Sequence, residues 1–292
     1  KRDWTIVKVP YGGGYGSLNL TKPKGAKRAP DALQKEFTRQ RIFMADNNVP
    51  SWDNVGWHNI NLGFRRQNNI NGWERMHKKV LKESVDIFGE ARDILFLGGS
   101  HTITASTYLA LAQVYGRFHT GLIVLDAHPD CCRKADWPIH SDWLRQLIEE
   151  ENVLPKNVLI IGLRQMEKSE KEFLEKYKIV HCPMNFIHRS LFIDNLSVYW
   201  TLRELGKLSA TYLSIDVDVA SGVFAPGTSC PSPGGFTDTE LIKFVKQIKS
   251  RLPNLRAADI VEIDPLNWWR KRVLRYDPTV DLGVKLIKEI IS

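Results

Sequence analysis

Three short segments carry the residues that could do chemistry. Val124-Leu125-Asp126-Ala127-His128-Pro129-Asp130 ends an apolar run with an aspartate, a histidine and a second aspartate at alternate positions. Leu213-Ser214-Ile215-Asp216-Val217-Asp218 ends another with two aspartates at the same spacing, and Phe96-Leu97-Gly98-Gly99-Ser100-His101 turns through a Gly-Gly pair into a histidine. Side chains along a strand repeat with period two, so Asp126, His128 and Asp130 can project to one side if the chain stays extended, as can Asp216 and Asp218. Taken singly each motif is weak, because a lone Asp-x-His-x-Asp is usually no more than the polar end of a strand. Their conjunction is strong. Four carboxylates brought into one pocket repel one another severely unless cations neutralise them. Oxygen donors with two imidazoles suit manganese better than zinc or calcium. Six protein ligands serve two five- or six-coordinate ions only where carboxylates bridge and water completes the shells. Two ions roughly 3.5 Å apart can turn a shared water into hydroxide near neutral pH. The chemistry so implied is metal-assisted hydrolysis.

A scaffold that gathers strand ends must present these segments. From residue 92 onward, short apolar runs alternate with helix-period segments. Strands are expected at Ile94–Leu97, Leu122–Asp126, Val158–Gly162, Lys178–Cys182, Tyr212–Asp216 and Arg256–Glu262. Helices are expected at Ala105–Val114, Trp143–Glu151, Glu170–Tyr177, Ser197–Leu208, Thr239–Arg251 and Gly283–Ile291. Alternation at this spacing means βαβ units and a parallel sheet covered on both faces, which also explains why the strands are almost wholly apolar. Ligands of open parallel sheets collect beyond the C-terminal ends of the strands, where all three segments lie. Residues 1–91 are less regular. Thr5–Val9 reads as a strand, Gly12–Gly16 as a loop, Ala29–Phe37 as a helix starting near Pro30, and Met76–Phe88 as a second helix. No repeat, low-complexity tract or linker divides the chain. Residues 1–292 are therefore expected to form one α/β domain, three layers (α/β/α) around a mainly parallel sheet.

The composition, 292 residues with 43% hydrophobic and 25% charged, is that of an ordinary globular chain able to bury a substantial core. No run approaches the roughly 18 apolar residues of a membrane-spanning helix. The N-terminal stretch from Lys1-Arg2-Asp3-Trp4 onward lacks the apolar core of a signal peptide, so neither a membrane protein nor a secreted precursor is expected. Cys131, Cys132, Cys182 and Cys230 show no C-x-x-C spacing and indicate neither a zinc knuckle nor a disulfide scaffold; free thiols fit a reducing cytoplasm. The 41 Lys and Arg against 33 Asp and Glu leave a net charge of +8. Such an excess invites a nucleic-acid reading. The basic residues are scattered, however, as in Lys22–Lys27 and Arg270–Arg275, and no recognition motif accompanies them, so no nucleic-acid partner is expected.

With these motifs in place, the chain resembles the ureohydrolases, the arginase and agmatinase family, whose metal motifs read G-G-D-H, D-A-H-x-D and S-x-D-x-D. The likeness runs from about residue 25 to the end. Gly25–Leu33 is similar to the family's N-terminal glycine-to-proline turn and helix. Phe224-Ala225-Pro226-Gly227-Thr228 with Pro231-Ser232-Pro233-Gly234-Gly235 is similar to its loop after the second Asp pair, and Val261-Glu262-Ile263-Asp264-Pro265 to its late V-E-x-x-P strand. The resemblance implies an arginase-like fold and two Mn(II) ions as cofactors. It implies that His101, Asp126, Asp130 and Asp216 hold one ion and that His128, Asp126, Asp216 and Asp218 hold the other, with Asp126 and Asp216 bridging. Asp130 would also orient the bridging hydroxide and accept its proton. Glu262 would pair with the planar substrate guanidinium, and His140 would relay a proton to the leaving amine.

The implied activity is hydrolysis of a small guanidino substrate to urea and an amine, by a homo-oligomer of the trimer or hexamer kind. Agmatine is favoured because Gly98–Thr104 ends in His-Thr-Ile-Thr, closer to the H-S-I-T of agmatinase-like members than to typical arginases. Arginine and guanidino acids stay open, as does a catalytically silent family member with a structural or regulatory role.

Several positions depart from the family pattern. Ser100 stands where an Asp is usual, which removes one carboxylate able to orient a ligand. Ser221-Gly222 replace a common Asp-Pro and could loosen that turn. Cys131-Cys132 occupy positions where small polar residues that see the substrate are usual, and both burial and a thiol-lined entrance are open readings. All six metal positions are kept. Trp137, Trp143, Trp268 and Trp269 lie near the site segments and are read as core and interface packing, and Trp268–Arg275 as a subunit contact or an anion-binding patch.

Overall fold

Eight short runs, most of them aliphatic, pair side by side into one sheet in a computed structural model that describes residues 3–14, 25–45, 55–63, 69–90, 92–187, 195–265 and 277–292. In chain order they are β1 (Trp4–Val9), β2 (Gly56–Asn59), β3 (Asp93–Gly98), β4 (Thr120–Leu125), β5 (Val158–Leu163), β6 (Val180–Pro183), β7 (Ala210–Asp216) and β8 (Leu255–Val261). Every pairing is parallel, so the sheet expected to be mainly parallel is wholly parallel among the described residues. The strands β3, β4, β5 and β7 are buried at every position, as strands covered on both faces must be.

The covering helices are α1 (Ala29–Ala45), α2 (Ile70–Gly89), α3 (Ile103–Tyr115), α4 (Trp143–Glu149), α5 (Lys168–Tyr177), α6 (Met184–Ile187), α7 (Leu196–Leu205), α8 (Asp238–Arg251) and α9 (Pro278–Ile291). One hydrophobic cluster joins α1 and α6 to α9 to one sheet face, and a second joins α2 to α5 to the other. This is the expected α/β/α arrangement. None of the helices among the described residues is long and apolar enough to cross a membrane.

Helix starts differ from the periodicity where a cap decides them. The α2 helix begins at Ile70, ahead of the expected Met76, because the Asn69 side chain accepts the Gly72 N–H at 2.8 Å. Likewise α9 begins at Pro278, where Asp277 accepts from Thr279 and Val280. Gly283, read from sequence as a helix start, lies inside α9 instead. A Cβ there would run into Leu33 of α1, so this glycine lets the two helices approach. The half-buried edge strand β2, Gly-Trp-His-Asn, has no alternation to reveal it. Trp268–Arg275, Lys22–Lys24 and the Tyr15–Gly16 end of the expected loop lie outside the described residues.

The strand order is β2-β1-β3-β8-β7-β4-β5-β6. The α3 crossover from β3 to β4 leaves room for two strands, and β8 and β7 fill it from much later in the chain. Leu125 pairs with Ile215, Ile215 with Ile260, and Ile260 with Leu97, so four adjacent strands end at one level. Their C-terminal ends deliver His101, Glu262, Asp216 and Asp126 to one edge of the sheet.

Candidate metal centre and active site

The segments after β4 and β7 do not stay extended. At Asp126 the chain leaves β4, Asp130 adopts a left-handed φ of 51°, and Val217–Val219 form a single 3-10 turn capped by Asp216. The alternate spacing therefore marks residues that do converge, but bends in the chain rather than an extended strand bring them together. Each bend is held by the carboxylates themselves. Asp126 Oδ1 accepts the His128 N–H at 2.7 Å, Asp216 Oδ1 the Asp218 N–H at 2.8 Å, and Asp218 Oδ1 the Ala127 N–H at 3.1 Å. One oxygen of each is thus tied to backbone, and the other faces an imidazole.

His101 Nδ1 lies 3.1 Å from Asp126 Oδ2, 2.9 Å from Asp130 Oδ2 and 3.3 Å from Asp216 Oδ2. His128 Nδ1 lies 3.0 Å from Asp218 Oδ2 and 3.5 Å from Asp126 Oδ1. The donor atoms of His101, Asp126 and Asp130 all fall within 4.8 Å of one another, as do those of Asp126, His128 and Asp218. Asp126 belongs to both groups. The structure thus brings together all six sequence-predicted ligands.

The electrostatics suit a cation. Burial alone would push both imidazoles down, yet Asp126, Asp130 and Asp216 hold His101 well above the ordinary histidine range, and Asp126 and Asp218 do the same for His128. Burial pushes the Asp216 carboxyl up, and the neighbouring charges of Asp218 and Asp126 add to it. His101 Nδ1 and Asp126 Oδ2 are buried without a hydrogen bond of acceptable geometry. Such orphaned atoms, aimed at one another among carboxylates, fit a divalent ion between them.

Glu262 follows β8 and, like Asp130, has a left-handed φ, here 61°. A bulky non-glycine residue in that region costs about 1–3 kcal/mol and persists only where its surroundings hold it. Here the Glu262 N–H donates to Gly99 O at 2.8 Å, Oε1 accepts the His101 N–H at 2.7 Å, and Oε2 accepts from Ser229 Oγ at 3.2 Å. Gly99 must be glycine, because a Cβ there would overlap the Tyr11 carbonyl oxygen. Burial pushes the Glu262 carboxyl up, opposed mainly by the charge of His140.

Four supporting residues carry little signal of their role in the sequence. Trp143, expected as core packing, is fully buried, but its indole N–H also donates to Asp130 Oδ2 at 2.8 Å and its ring lies 4.8 Å from that of His101. Arg164, after β5, donates to the Asp218 and Val219 carbonyls and to Ser232 Oγ, clamping the turn after β7. Ser214 Oγ lies 2.9 Å from His101 Nε2 and donates to the buried Asp259 at 2.7 Å. Ser214 sits inside one of the three motifs; for Asp259 the only signal is a charge inside an apolar strand. Ser100, at the departure beside His101, is buried with its hydroxyl on Thr102 at 2.9 Å. Ser221 and Gly222 are pinned by backbone bonds to Phe236 and Ser232, both 2.8 Å, so the turn is not loosened.

A cavity of about 390 Å³ opens over these groups. His128, Asp130, His140 and Glu262 line it, with Cys132, Met166, Glu167, Glu170 and Cys230. His140 is half-buried, with Nδ1 2.9 Å from Gly14 O. The adjacent thiols part company: Cys131 is buried and Cys132 lines the cavity, and burial pushes both thiols up, away from the thiolate form. No Lys or Arg lines the cavity among the described residues.

A model of the Arginase family matches residues 2–292. A formimidoylglutamase of Bacillus subtilis is 30% identical over 174 residues, 59% of this chain and 53% of that protein, so the match takes in about half of that relative's length. An arginase of Staphylococcus aureus is 28% identical over 287 residues, 91% of each protein. Among solved structures, the formimidoylglutamase of Bacillus subtilis aligns with a TM-score of 0.82 at 21% identity, over 100% of this chain and 86% of that one, which is a likeness of fold.

Proposed function

The chain belongs to the Arginase family, and from that premise we propose that it is a two-Mn(II) hydrolase that cleaves a guanidino compound to urea and an amine, with an agmatine-like substrate favoured. The observation that carries this reading is the pair of donor groups sharing Asp126, with His101 Nδ1 and Asp126 Oδ2 orphaned between them. His101, Asp126, Asp130 and Asp216 would hold one ion and His128, Asp126, Asp216 and Asp218 the other. When bound, such a pair supplies Lewis-acid activation of water near neutral pH.

The chain's own residues do the rest. Glu262, anchored through both oxygens, presents its carboxylate to the planar guanidinium in a charge-assisted pair. Asp130, fixed by the Trp143 indole, holds the attacking water in line and takes its proton. The departing amine leaves readily only if protonated. His140 gives Nδ1–H to Gly14 O and so makes Nε2 the atom that carries that proton at the cavity.

The far end of the substrate meets Glu167 and Glu170 and no lysine or arginine among the described lining residues, which favours an amine tail over a carboxylate. The proposed setting is a cytoplasmic homo-oligomer, trimer or hexamer, in keeping with four free cysteines. Urea release should be measured with added Mn(II) against agmatine, arginine, guanidinobutyrate and guanidinopropionate. Agmatine is expected to turn over best. Preference for a carboxylate-bearing substrate would sink the tail argument, and no urea from any of them would sink the reaction.

A further inference from the structure

We infer that Asp259, a fully buried aspartate of β8, is a positioning residue that sets the orientation and tautomer of His101 through Ser214. The inference rests on the proposed metal reading of that histidine.

A carboxylate in the centre of a sheet is costly unless its lone pairs are filled. Four donors converge on Asp259. Ser214 Oγ at 2.7 Å and the Ile215 N–H at 3.3 Å reach Oδ1, while Thr104 Oγ1 at 2.6 Å and Tyr212 Oη at 2.8 Å reach Oδ2. A serine hydroxyl has one proton to give. Ser214 gives it to Asp259 and must therefore accept from His101 Nε2, 2.9 Å away. That keeps a ring proton on Nε2 and makes Nδ1, which faces Asp126, Asp130 and Asp216, the nitrogen that gives up its proton to offer a lone pair to an ion.

Ser214 and Asp259 are direct partners in the β7–β8 register, so the sheet itself holds the line straight. Thr104 stands three residues after His101 in the first turn of α3, so one carboxylate fixes both the ring and the helix that follows it. Ser100 brings no carboxylate to the residue beside His101, and Asp259 supplies one from another strand.

Mn(II) binding to the metal-free chain tests this, followed by calorimetry and by electron paramagnetic resonance of free Mn(II). Asp259→Asn offers one acceptor oxygen where two are needed, and should weaken one of the two ions by about 10–100-fold while leaving the other unchanged. Ser214→Ala cuts the same line without removing Asp259 and should weaken the same ion. Tyr212→Phe removes a bond to Asp259 that is not on the path to the ring, and should lower Tm but leave both affinities alone. Equal weakening of both ions by Asp259→Asn, or a Tyr212→Phe affinity matching it, would reduce Asp259 to a structural residue and overturn the inference. If Asp259→Asn does not fold, Ser214→Ala against Tyr212→Phe decides by the same criteria. Wild-type binding of two Mn(II) with urea release, but unchanged affinities in both line variants, defeats this inference alone. A wild type that binds no Mn(II) defeats the proposed function as well.

Discussion

The two imidazoles of the site are equivalent in type and differ in how the fold holds them. The His101 side chain is fully buried, packed on Trp143, and tied at Nε2 to Ser214 in the sheet. The His128 side chain is 25% exposed, lines the cavity, and rests its Nε2 on the Gln165 side chain at 3.2 Å. Both present Nδ1 to the carboxylates. One half of the centre is thus part of the rigid sheet edge and the other hangs on a loop facing solvent. Charges interact more strongly where water is excluded, so the His101 side should hold its ion more tightly, and the His128 side should be where ions exchange.

The largest effect is expected where the halves meet. Asp126→Asn should abolish turnover and lose both ions together, as measured by metal analysis and urea release. An Asp126→Asn chain that keeps one ion at full occupancy would show two independent sites rather than two halves of one. Next comes Glu262→Gln, which removes a charge anchored on the His101 side. It should keep both ions while kcat/KM falls by roughly 10²–10³-fold, the usual loss for one group aimed at developing charge. Because those bonds strengthen as the carbon becomes tetrahedral, kcat should fall as well as kcat/KM. Loss confined to KM would place guanidinium binding outside the reaction centre.

The asymmetry is read most directly by exchanging each imidazole for a methyl. His101→Ala should weaken one ion and also lower the Tm of the metal-free chain, since it empties a buried space. His128→Ala should weaken the other ion and lower that Tm by less, since it breaks the pairing with Asp126 and Asp218 but empties no fully buried space. Equal Tm losses would erase the distinction between a built-in half and a hanging one.

A smaller effect is expected at the mouth. His140→Asn should lower kcat by roughly tenfold, below the usual range for general acid catalysis because solvent can also deliver the proton. Metal content should not change, and added imidazole should restore part of the rate. An unaltered rate and pH profile would remove the relay and leave the rest standing.

The smallest is a pH effect on the metal-free chain. His101 and His128 are held above the ordinary histidine value by neighbouring carboxylates. The stability they contribute is complete below the unfolded value of about 6.5 and is lost as pH rises through the folded values. Asp216, raised by burial, acts with the same sign, because the folded chain holds its proton more tightly than the unfolded one does. The Tm of the metal-free chain should therefore fall with rising pH, and Mn(II) affinity should rise, since the ion displaces those protons. A metal-free Tm that climbs over the same range would mean that the imidazoles are not the counter-charge.

Much of this protein was determined by its sequence alone. The alternation of apolar runs with helix-period segments dictates a parallel sheet between two helical layers, because strands that are apolar on both faces have nowhere else to go. Six candidate ligand positions were legible because their residue types are costly together without cations, and because strand ends are where a parallel sheet exposes such groups. Caps moved the helix starts, and the edge strand β2 carried no periodic signal at all.

Only the tertiary structure decided who stands beside whom. Periodicity reports that a face is buried, and is silent on what buries it. The insertion of β7 and β8 between β3 and β4 places the Glu262 carboxylate on the His101 N–H across 161 positions, and sets Asp259 behind Ser214. The left-handed turns at Asp130 and Glu262 belong to the same category. Each is locally unfavourable, and contacts supplied by other strands and loops hold it in place.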